Sequence, residues 1–454
     1  MVRRRETDRV PGRLSPIEAV MWRAGHEPSL RMAVGIVFVL DHAPSLEALE
    51  ERFAAVIKRS PRLQLRPGGE SFGHPTPAWL EDATPDASHH LRSAAVRKPG
   101  TLRQMLDLVS LLEAVPFDPD HAPWDGTLIE GLEGDRAALY LRAHHVVSDG
   151  LAGLRITGRF FDRNEIDLRE PIDLRDRAAP ADDTQSGAPT IDLTKALRPL
   201  QAAVNAARDP ATAVQGVIDL ATSVSRQLVI TGGSLSPLLV DHSTTTRFEL
   251  FSVPGARAAA VALGGSRNDL LVTGAASGLG LYHERLGSPC EELRLSSPTT
   301  QRKTSEEGGN WFAPSRVTVP TDAGLPKPHF DAVAERLNQA RVEPALRLAP
   351  ALASTLSLLP PQVLIPALQA QADTVDFVAT AIPGLRASGR ICGARVVSSY
   401  PFGPRLGCPV NLTAFATRDR LDIGVALDTA AITEPAVLLE CLDEAFTRLV
   451  ATSE

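Results

Sequence analysis

Apolar residues along this chain recur at two different spacings, which predict strands and helices in alternation. Residues 33–41 form an unbroken apolar run rich in β-branched side chains, which predicts a buried strand. Beyond it, Leu49, Phe53 and Val56 fall on one face of a predicted helix that Ser45 caps. Further helices are predicted from residue 16 and near residues 102–112, 151–161, 209–228, 268–286, 330–341 and 434–450. Further strands are predicted at residues 135–145, 248–253, 291–297, 376–381, 393–397 and 421–427. Because strands and helices alternate in both halves, we expect an α/β protein built from two similar parts.

The length of the chain, 454 residues, favours two domains, because a single hydrophobic core seldom grows beyond about 250–300 residues. Residues 170–190 are poor in large apolar side chains and rich in Ala, Asp and Pro, which is typical of an exposed linker. We therefore expect an N-terminal domain at 1–175, a linker and crossover at 176–245, and a C-terminal domain at 246–454.

Composition excludes several function classes. The net charge is −7 and no dense cluster of Lys and Arg occurs, which disfavours nucleic acid as a partner. No run of 18 apolar residues is present, and no apolar segment follows the arginines near the start, so we expect neither a membrane-spanning helix nor a secretory signal. The four cysteines are widely spaced, which favours a reducing cytoplasm over disulfides.

The segment with the strongest indication of chemistry begins with His144 and His145, at the end of the strand predicted for residues 135–145. Histidine is the side chain best suited to accept a proton near neutral pH. Neighbouring side chains of a strand point to opposite faces, so we expect one imidazole to act as a base and the other to support it. Asp149 could orient an imidazole or pair with an arginine, and Gly150 suits a tight turn.

From the residues alone, other interpretations stay open. Adjacent histidines are often purely structural, and a zinc site is disfavoured because they diverge from a strand and lack H-x-x-x-H spacing. No G-x-S-x-G elbow indicates a serine hydrolase. The glycine-rich run that begins at Gly274 lies inside a helical pattern, which favours close helix packing over a nucleotide site.

Together with its context, the pattern H-H-x-x-x-D-G resembles the signature of the CoA-dependent acyltransferase superfamily, which includes chloramphenicol acetyltransferase and the condensation domains of peptide synthetases. The chain is more similar still to the bacterial wax ester synthase/diacylglycerol acyltransferase family, through motifs in matching order along most of its length. These motifs are Leu14-Ser15-Pro16-Ile17-Glu18-Ala19-Val20, Ala122-Pro123-Trp124, Asn268-Asp269, Pro298 to Arg302 followed by Gly309-Asn310, and Ile382-Pro383-Gly384.

This resemblance implies two chloramphenicol-acetyltransferase-like α/β domains of similar build, with an active-site tunnel between them. It implies that His145 deprotonates an acceptor hydroxyl, with His144 beside it and with Asp149 and Gly150 in structural roles. The remaining residues implied to bind substrate or shape the site are Pro123, Trp124, Asn268, Asp269, Gly309 and Asn310. Each also has a simpler explanation: Asn268 could cap its helix, Pro123 and Trp124 could be packing residues, and Gly309 and Asn310 could form a turn.

The resemblance further implies acyl-CoA as co-substrate and a long-chain alcohol or diacylglycerol as acceptor. It implies no cofactor and no metal, and peripheral association with the inner membrane or lipid bodies. The chain departs from the family pattern in three places: Pro123 replaces a leucine, no asparagine precedes Ile382, and Trp311 follows the Gly-Asn pair. These departures leave open another acceptor, a carrier-bound donor or a non-catalytic lipid-binding protein.

Overall fold

The structure, a computed structural model, describes residues 12–69, 76–82, 85–147, 150–162, 233–300, 312–321, 324–341, 353–354, 356–384, 389–417 and 419–452. The helix predicted near 209–228 and most of the predicted linker at 176–245 lie outside these residues. The predicted class is confirmed, because the described part is a mixed α/β fold with two six-stranded sheets.

Local capping chemistry sets where the first helices begin. Helix α1 (Pro16–Ala24) starts with a capping box, in which the Ser15 hydroxyl accepts the Glu18 amide and the Glu18 carboxylate accepts the Ser15 amide. Helix α2 (Leu46–Arg59) begins after Ser45, whose hydroxyl accepts the amide of Ala48 at 3.2 Å. Both starts agree with the sequence-based prediction.

The first sheet has six strands in the order β11-β12-β1-β6-β5-β4. They are β1 (Ala33–Leu40), β4 (Leu91–Ala95), β5 (Trp124–Leu132), β6 (Arg136–His144), β11 (Arg390–Ile391) and β12 (Ala394–Phe402). Strand β1 lies near the centre, antiparallel to both β6 and β12. Among the described strands of this sheet, only β4 and β5 form a parallel pair. A separate hairpin joins β2 (Leu65–Gly68) to β3 (Ala78–Glu81).

The second sheet has the order β7-β14-β13-β10-β8-β9. Its strands are β7 (Thr246–Pro254), β8 (Glu292–Thr300), β9 (Phe312–Pro320), β10 (Phe377–Pro383), β13 (Val410–Ala416) and β14 (Arg420–Asp428). Strand β10 runs parallel to β13 on one side and to β8 on the other, so it occupies the middle of this sheet.

Helices cover both sheets. They are α3 (Ala87–His90), α4 (Leu102–Ala114), α5 (Gly150–Thr157), α6 (Ala256–Ala262), α7 (Arg267–Arg285), α8 (Pro326–Arg341), α9 (Pro361–Ala372) and α10 (Pro435–Ala451). The largest apolar cluster lies between the second sheet and helices α7, α8 and α10. Two smaller clusters cover opposite faces of the first sheet, one with α2 and one with α4.

The two halves of the chain interlock through β12. This strand belongs to the second half in sequence, yet it pairs with β1 from Gly35–Phe402 to Leu40–Val396. The assignment of all of residues 246–454 to a C-terminal domain therefore does not match the strand pairing, because β11 and β12 complete the first sheet. Pairing between such distant segments leaves no local signal in the sequence. The boundaries at residues 175 and 245 stay a prediction.

Several elements differ from the sequence-based expectation. Strands β5, β9 and β13 and helix α9 were not predicted, and β12 extends to Phe402 rather than ending near residue 397. Strand β13 is buried along its whole length, so it shows no alternation of polar and apolar positions. Helix α5 ends at Thr157 and continues as a short 3-10 helix, Gly158–Phe160.

Gly424 on β14 marks a close approach between β12 and the second sheet. A Cβ atom at this position would lie 2.0 Å from the Pro401 carbonyl oxygen, which is backbone and cannot move aside. We expect Gly424→Ala to lower the free energy of unfolding by about 1–3 kcal/mol, as overpacking does. Urea unfolding measures the change, and Gly233→Ala is the control because no atom of the described residues lies within 4 Å of its added Cβ. Equal stability of the two variants would contradict the close approach.

Candidate active site

Backbone hydrogen bonds on both sides hold the histidine pair at the end of β6. The amide of His144 donates to the Pro123 carbonyl at 2.8 Å, and the amide of His145 donates to the Met32 carbonyl at 2.7 Å. The amide of Val147 then donates back to the His144 carbonyl at 2.9 Å, which turns the chain out of the strand. The pair is thus fixed between the segment before β5 and the segment before β1.

The His144 ring is buried in an apolar cage and has a defined tautomer. Its Nδ1 accepts the amide hydrogen of Val146 at 3.1 Å, so in the neutral ring the proton is on Nε2. That Nε2 is buried with no hydrogen-bond partner among the described residues. The Trp22 and Phe117 rings meet the imidazole edge to face, with centroids 5.2 and 6.4 Å away.

Burial, with smaller contributions from the neighbouring His145 and His26, lowers the pKa of His144 to about 3. An imidazole with that pKa stays neutral at physiological pH and binds a proton only weakly. His145 is different, because it is only partly buried and follows the last residue of the strand. Asp149 lies outside the described residues, and Gly150 is the first residue of α5.

Arg62 links the turn after the histidines to the beginning of the chain. Its Nε donates to the Val147 carbonyl at 3.3 Å, and its guanidinium pairs with the Glu18 carboxylate of the capping box. The guanidinium also lies over the Trp79 ring, 3.6 Å from the centroid, in a cation–π contact. The motif that begins at Leu14 is thereby connected to the turn that carries His145.

The Ala122-Pro123-Trp124 segment is fixed by buried polar groups. The Ala122 amide donates to the Asp82 carboxylate at 2.8 Å, and the Trp124 indole N–H donates to the Leu63 carbonyl at 3.0 Å. His90 stacks on the Trp124 ring at 4.1 Å and donates from Nδ1 to its carbonyl at 2.7 Å. The Trp124 side chain is buried, and its segment positions the Pro123 carbonyl that accepts the His144 amide; a role for Trp124 in shaping the site stays a prediction.

The Asn268-Asp269 pair lies at the beginning of α7. The residue that caps this helix is Ser266, in a capping box with Asp269, so the alternative that Asn268 caps it is wrong. Asn268 instead accepts the amide of Ala381 through Oδ1 at 3.1 Å, which reaches across to β10. The Asp269 carboxylate also pairs with Arg341 at 3.3 Å.

Strand β10 connects that helix with the histidine motif. Within the described residues its parallel pairing with β8 is confined to Phe377–Leu295 and Val378–Ser296, so the two strands separate beyond Val378. Asn268 satisfies the Ala381 amide in the separated part. The next residue, Ile382, packs against the apolar cluster that contains Val146, Val147 and Leu154. Strand β10 thus links Asn268 to the apolar cluster that also contains Val146 and Val147.

Gly309 and Asn310 lie outside the described residues, so their predicted role stays a prediction. In the part of the chain that the structure covers, no group of three His, Cys, Asp or Glu side chains could hold a metal ion. Across the same part, no helix is both long enough and apolar enough to cross a membrane.

Sequence reasoning missed three residues that position the motif: Trp22, Gly25 and Arg62. Gly25 has an ordinary helical φ of −64°, so its need for glycine is steric rather than conformational. A Cβ at Gly25 would lie 2.2 Å from His144 Nε2. The only local signal was a glycine at a helix end, where glycine is common for other reasons.

Comparisons with known proteins place this geometry in a known class. Residues 14–271 match the family model "Wax ester synthase/diacylglycerol acyltransferase catalytic domain", and residues 308–450 match "WS/DGAT C-terminal domain". A putative diacylglycerol O-acyltransferase of Mycobacterium tuberculosis is 28% identical over 98% of this chain and 93% of its own length. Another from the same organism is 30% identical over 76% of this chain and 78% of its own length.

Solved structures show the same fold. A wax ester synthase/diacylglycerol acyltransferase from Marinobacter aquaeolei VT8 has a TM-score of 0.63 at 21% identity, covering 97% of this chain and 99% of that one. The first condensation domain of a calcium-dependent antibiotic synthetase has a TM-score of 0.60 at 16% identity, covering 98% of this chain and 97% of that one. Fold and motif together define an O-acyltransferase of the superfamily that carries the H-H-x-x-x-D-G signature. The chain belongs to the wax ester synthase/diacylglycerol acyltransferase family, as its sequence motifs predict.

Substitution of Gly25 tests the packing around His144. We expect Gly25→Ala to displace the imidazole, to cost about 1–3 kcal/mol of stability and to reduce acyltransferase turnover. Urea unfolding and CoA release measure the two effects. Gly12→Ala is the control, because its added Cβ meets no atom within 4 Å in the part of the chain that the structure covers. Unchanged turnover and stability in Gly25→Ala would show that the ring does not need this space.

The lowered pKa of His144 predicts acid sensitivity. Between pH 6.5, its ordinary pKa, and its folded value of about 3, the unfolded chain binds a proton that the folded chain excludes. The contribution of neutral His144 to the free energy of unfolding is therefore fully present above pH 6.5. It falls as the pH drops toward 3, by up to about 1.4 kcal/mol per pH unit.

His144→Asn keeps an oxygen that can accept the Val146 amide but removes the titrating ring. We expect its free energy of unfolding, measured in urea, to change less between pH 7 and pH 5 than that of the unmodified chain. His42→Asn is the control, because the side chain of His42 is 54% exposed. The same pH dependence in all three proteins would contradict the lowered pKa.

Proposed function

We propose that the chain transfers a fatty acyl group from acyl-CoA to the hydroxyl of a long-chain alcohol or diacylglycerol, which forms a wax ester or triacylglycerol. Family membership supports acyl transfer as the reaction. The names of the Mycobacterium tuberculosis relatives support diacylglycerol as the acceptor to test first. We further propose that the protein is cytoplasmic and associates peripherally with a membrane or lipid-body surface, where such acceptors and products accumulate.

In the proposed mechanism, His145 removes the proton from the acceptor hydroxyl while the oxygen attacks the carbonyl carbon of the thioester. A tetrahedral oxyanion forms and collapses, the carbon–sulfur bond breaks, and the sulfur leaves with the proton that His145 carries. The ester and free CoA are the products, and the histidine returns to its neutral form. A positioned base of this kind contributes about 10²- to 10⁴-fold to the rate.

One observation carries this assignment: the two histidines of the motif occupy opposite environments. The His144 ring is buried, its Nε2 has no hydrogen-bond partner among the described residues, and its pKa is lowered to about 3, so it is unsuited to proton transfer. His145 is partly exposed and held by its own amide, so its ring is the one that substrate could reach. Asp149, Gly309 and Asn310 stay candidates for structural and site-shaping roles.

CoA release from palmitoyl-CoA tests the proposal, with hexadecanol and dioleoylglycerol as separate acceptors. We expect acceptor-dependent release, and we expect His145→Ala to lower it by about 10²- to 10⁴-fold. His42→Ala, at an exposed position on the loop after β1, is the matched control and should keep full turnover.

Full turnover in His145→Ala would refute the assigned base. If neither acceptor supports release, an acyl carrier protein donor and other hydroxyl or amine acceptors are tested next. Tight binding of acyl-CoA without release across that panel would favour a non-catalytic lipid-binding protein.

A further inference from the structure

A cleft between the two halves of the chain is lined by the side chain of an arginine, Arg31. Its walls come from the segment before β1, the end of α4, the start of β7 and the loop between β12 and β13. The cleft is partly open to solvent, and the space within and in front of it, including the open part, is about 340 Å³. The Arg31 side chain lines it, and among the described residues it forms no hydrogen bond or ion pair.

The other polar groups of the cleft are arranged to accept an anion. Arg405 is held rigidly, by an ion pair with Asp428, by a 2.6 Å bond to the Ser243 carbonyl and by a 3.0 Å bond to the Thr246 hydroxyl oxygen. Because Thr246 accepts that bond, its own hydroxyl proton is available to a ligand. Thr244 adds a second hydroxyl to the lining. These groups offer several hydrogen-bond donors around the Arg31 guanidinium. They form a local donor cluster in a chain whose net charge is −7.

The cleft also contains one opposing charge. Burial raises the pKa of Glu113, and the Tyr140 hydroxyl donates a hydrogen bond to its carboxylate. Arg31 is not within ion-pair distance of Glu113, although the carboxylate attracts its charge. An anion bound to Arg31 would therefore interact unfavourably with Glu113, which gives the two residues opposite effects on anion binding.

The position of Arg31 connects this cleft to the histidine motif. Arg31 directly precedes Met32, whose carbonyl accepts the His145 amide. An acyl thioester placed at His145 has its phosphate at the far end of the pantetheine arm. On the basis of the proposed function, we infer that the cleft binds the phosphate group that ends this arm, with Arg31 as its principal ligand. CoA and a phosphopantetheinylated carrier protein share this group.

Calorimetric titration in the absence of acceptor tests the inference, with CoA, 4′-phosphopantetheine and pantetheine as separate ligands. We expect Arg31→Gln to weaken CoA and 4′-phosphopantetheine alike, by about tenfold or more, since charge-assisted bonds to phosphate are lost. Pantetheine has no phosphate and should bind both proteins equally. Glu113→Gln should strengthen CoA binding, and this opposite sign separates a charge effect from general damage to the fold. Arg257→Gln, at an exposed position on α6, is the control.

The outcomes distinguish CoA from a carrier protein as the source of the phosphate. They also distinguish a failure of the phosphate site from a failure of the proposed function. An added holo carrier protein that also binds Arg31→Gln more weakly indicates that the site serves both donors, whereas weakening of CoA and 4′-phosphopantetheine alone assigns it to CoA. Unchanged CoA affinity in Arg31→Gln, or an equal loss for pantetheine, overturns the inference. The same titrations in His145→Ala report binding independently of turnover, so an inactive protein would not by itself refute the phosphate site.

Discussion

Two backbone hydrogen bonds at the end of β6 determine what the rest of the site can do. The His144 amide is held by the Pro123 carbonyl and the His145 amide by the Met32 carbonyl, so the pair is fixed from both neighbouring strands. Main-chain bonds of this kind leave the two imidazoles free to enter different surroundings. The rings of Trp22 and Phe117 and the backbone at Gly25 enclose the His144 ring, while His145 is only partly buried. A difference in burial between adjacent residues thus separates a packing role from the proposed chemical one.

The surroundings of that point come from the whole chain. Arg62 connects the turn after the histidines with the capping box of α1. Ile382, from the middle of the second sheet, packs against the apolar cluster that also contains Val146 and Val147. The separation of β8 and β10 exposes the Ala381 amide, and the side chain of Asn268 satisfies it. A buried amide without a partner costs free energy, so the separation depends on an amide side chain at that position. The separation of β8 and β10 and the presence of Asn268 in the Asn-Asp motif are therefore structurally linked.

The sequence predicted the features that depend on local chemistry. Ser15 and Ser45 marked helix starts through capping, and the apolar run at 33–41 marked the central strand, since these signals arise within a few residues. Strand β13 was missed because Asn411 and Thr413 are polar although the strand is buried; in the fold Thr413 donates to the Asn411 side chain, which donates to the Pro404 carbonyl. Gly25 was missed because its importance comes from His144, which lies far away in the sequence. The histidine motif was found as a pattern, while the environment that distinguishes its two rings required the fold.

The pairing of β12 with β1 has a consequence for how this protein is made. On the ribosome, β1 and β6 emerge early, but the strand that completes their sheet lies at Ala394–Phe402. At usual rates of synthesis the wait is on the order of tens of seconds. During that time one edge of β1, an apolar strand, has unpaired backbone groups and is open to pairing with other chains. This edge of β1 therefore needs protection during synthesis, by a chaperone or by the rest of the chain. In the folded protein the need is gone, because β12 pairs with that edge.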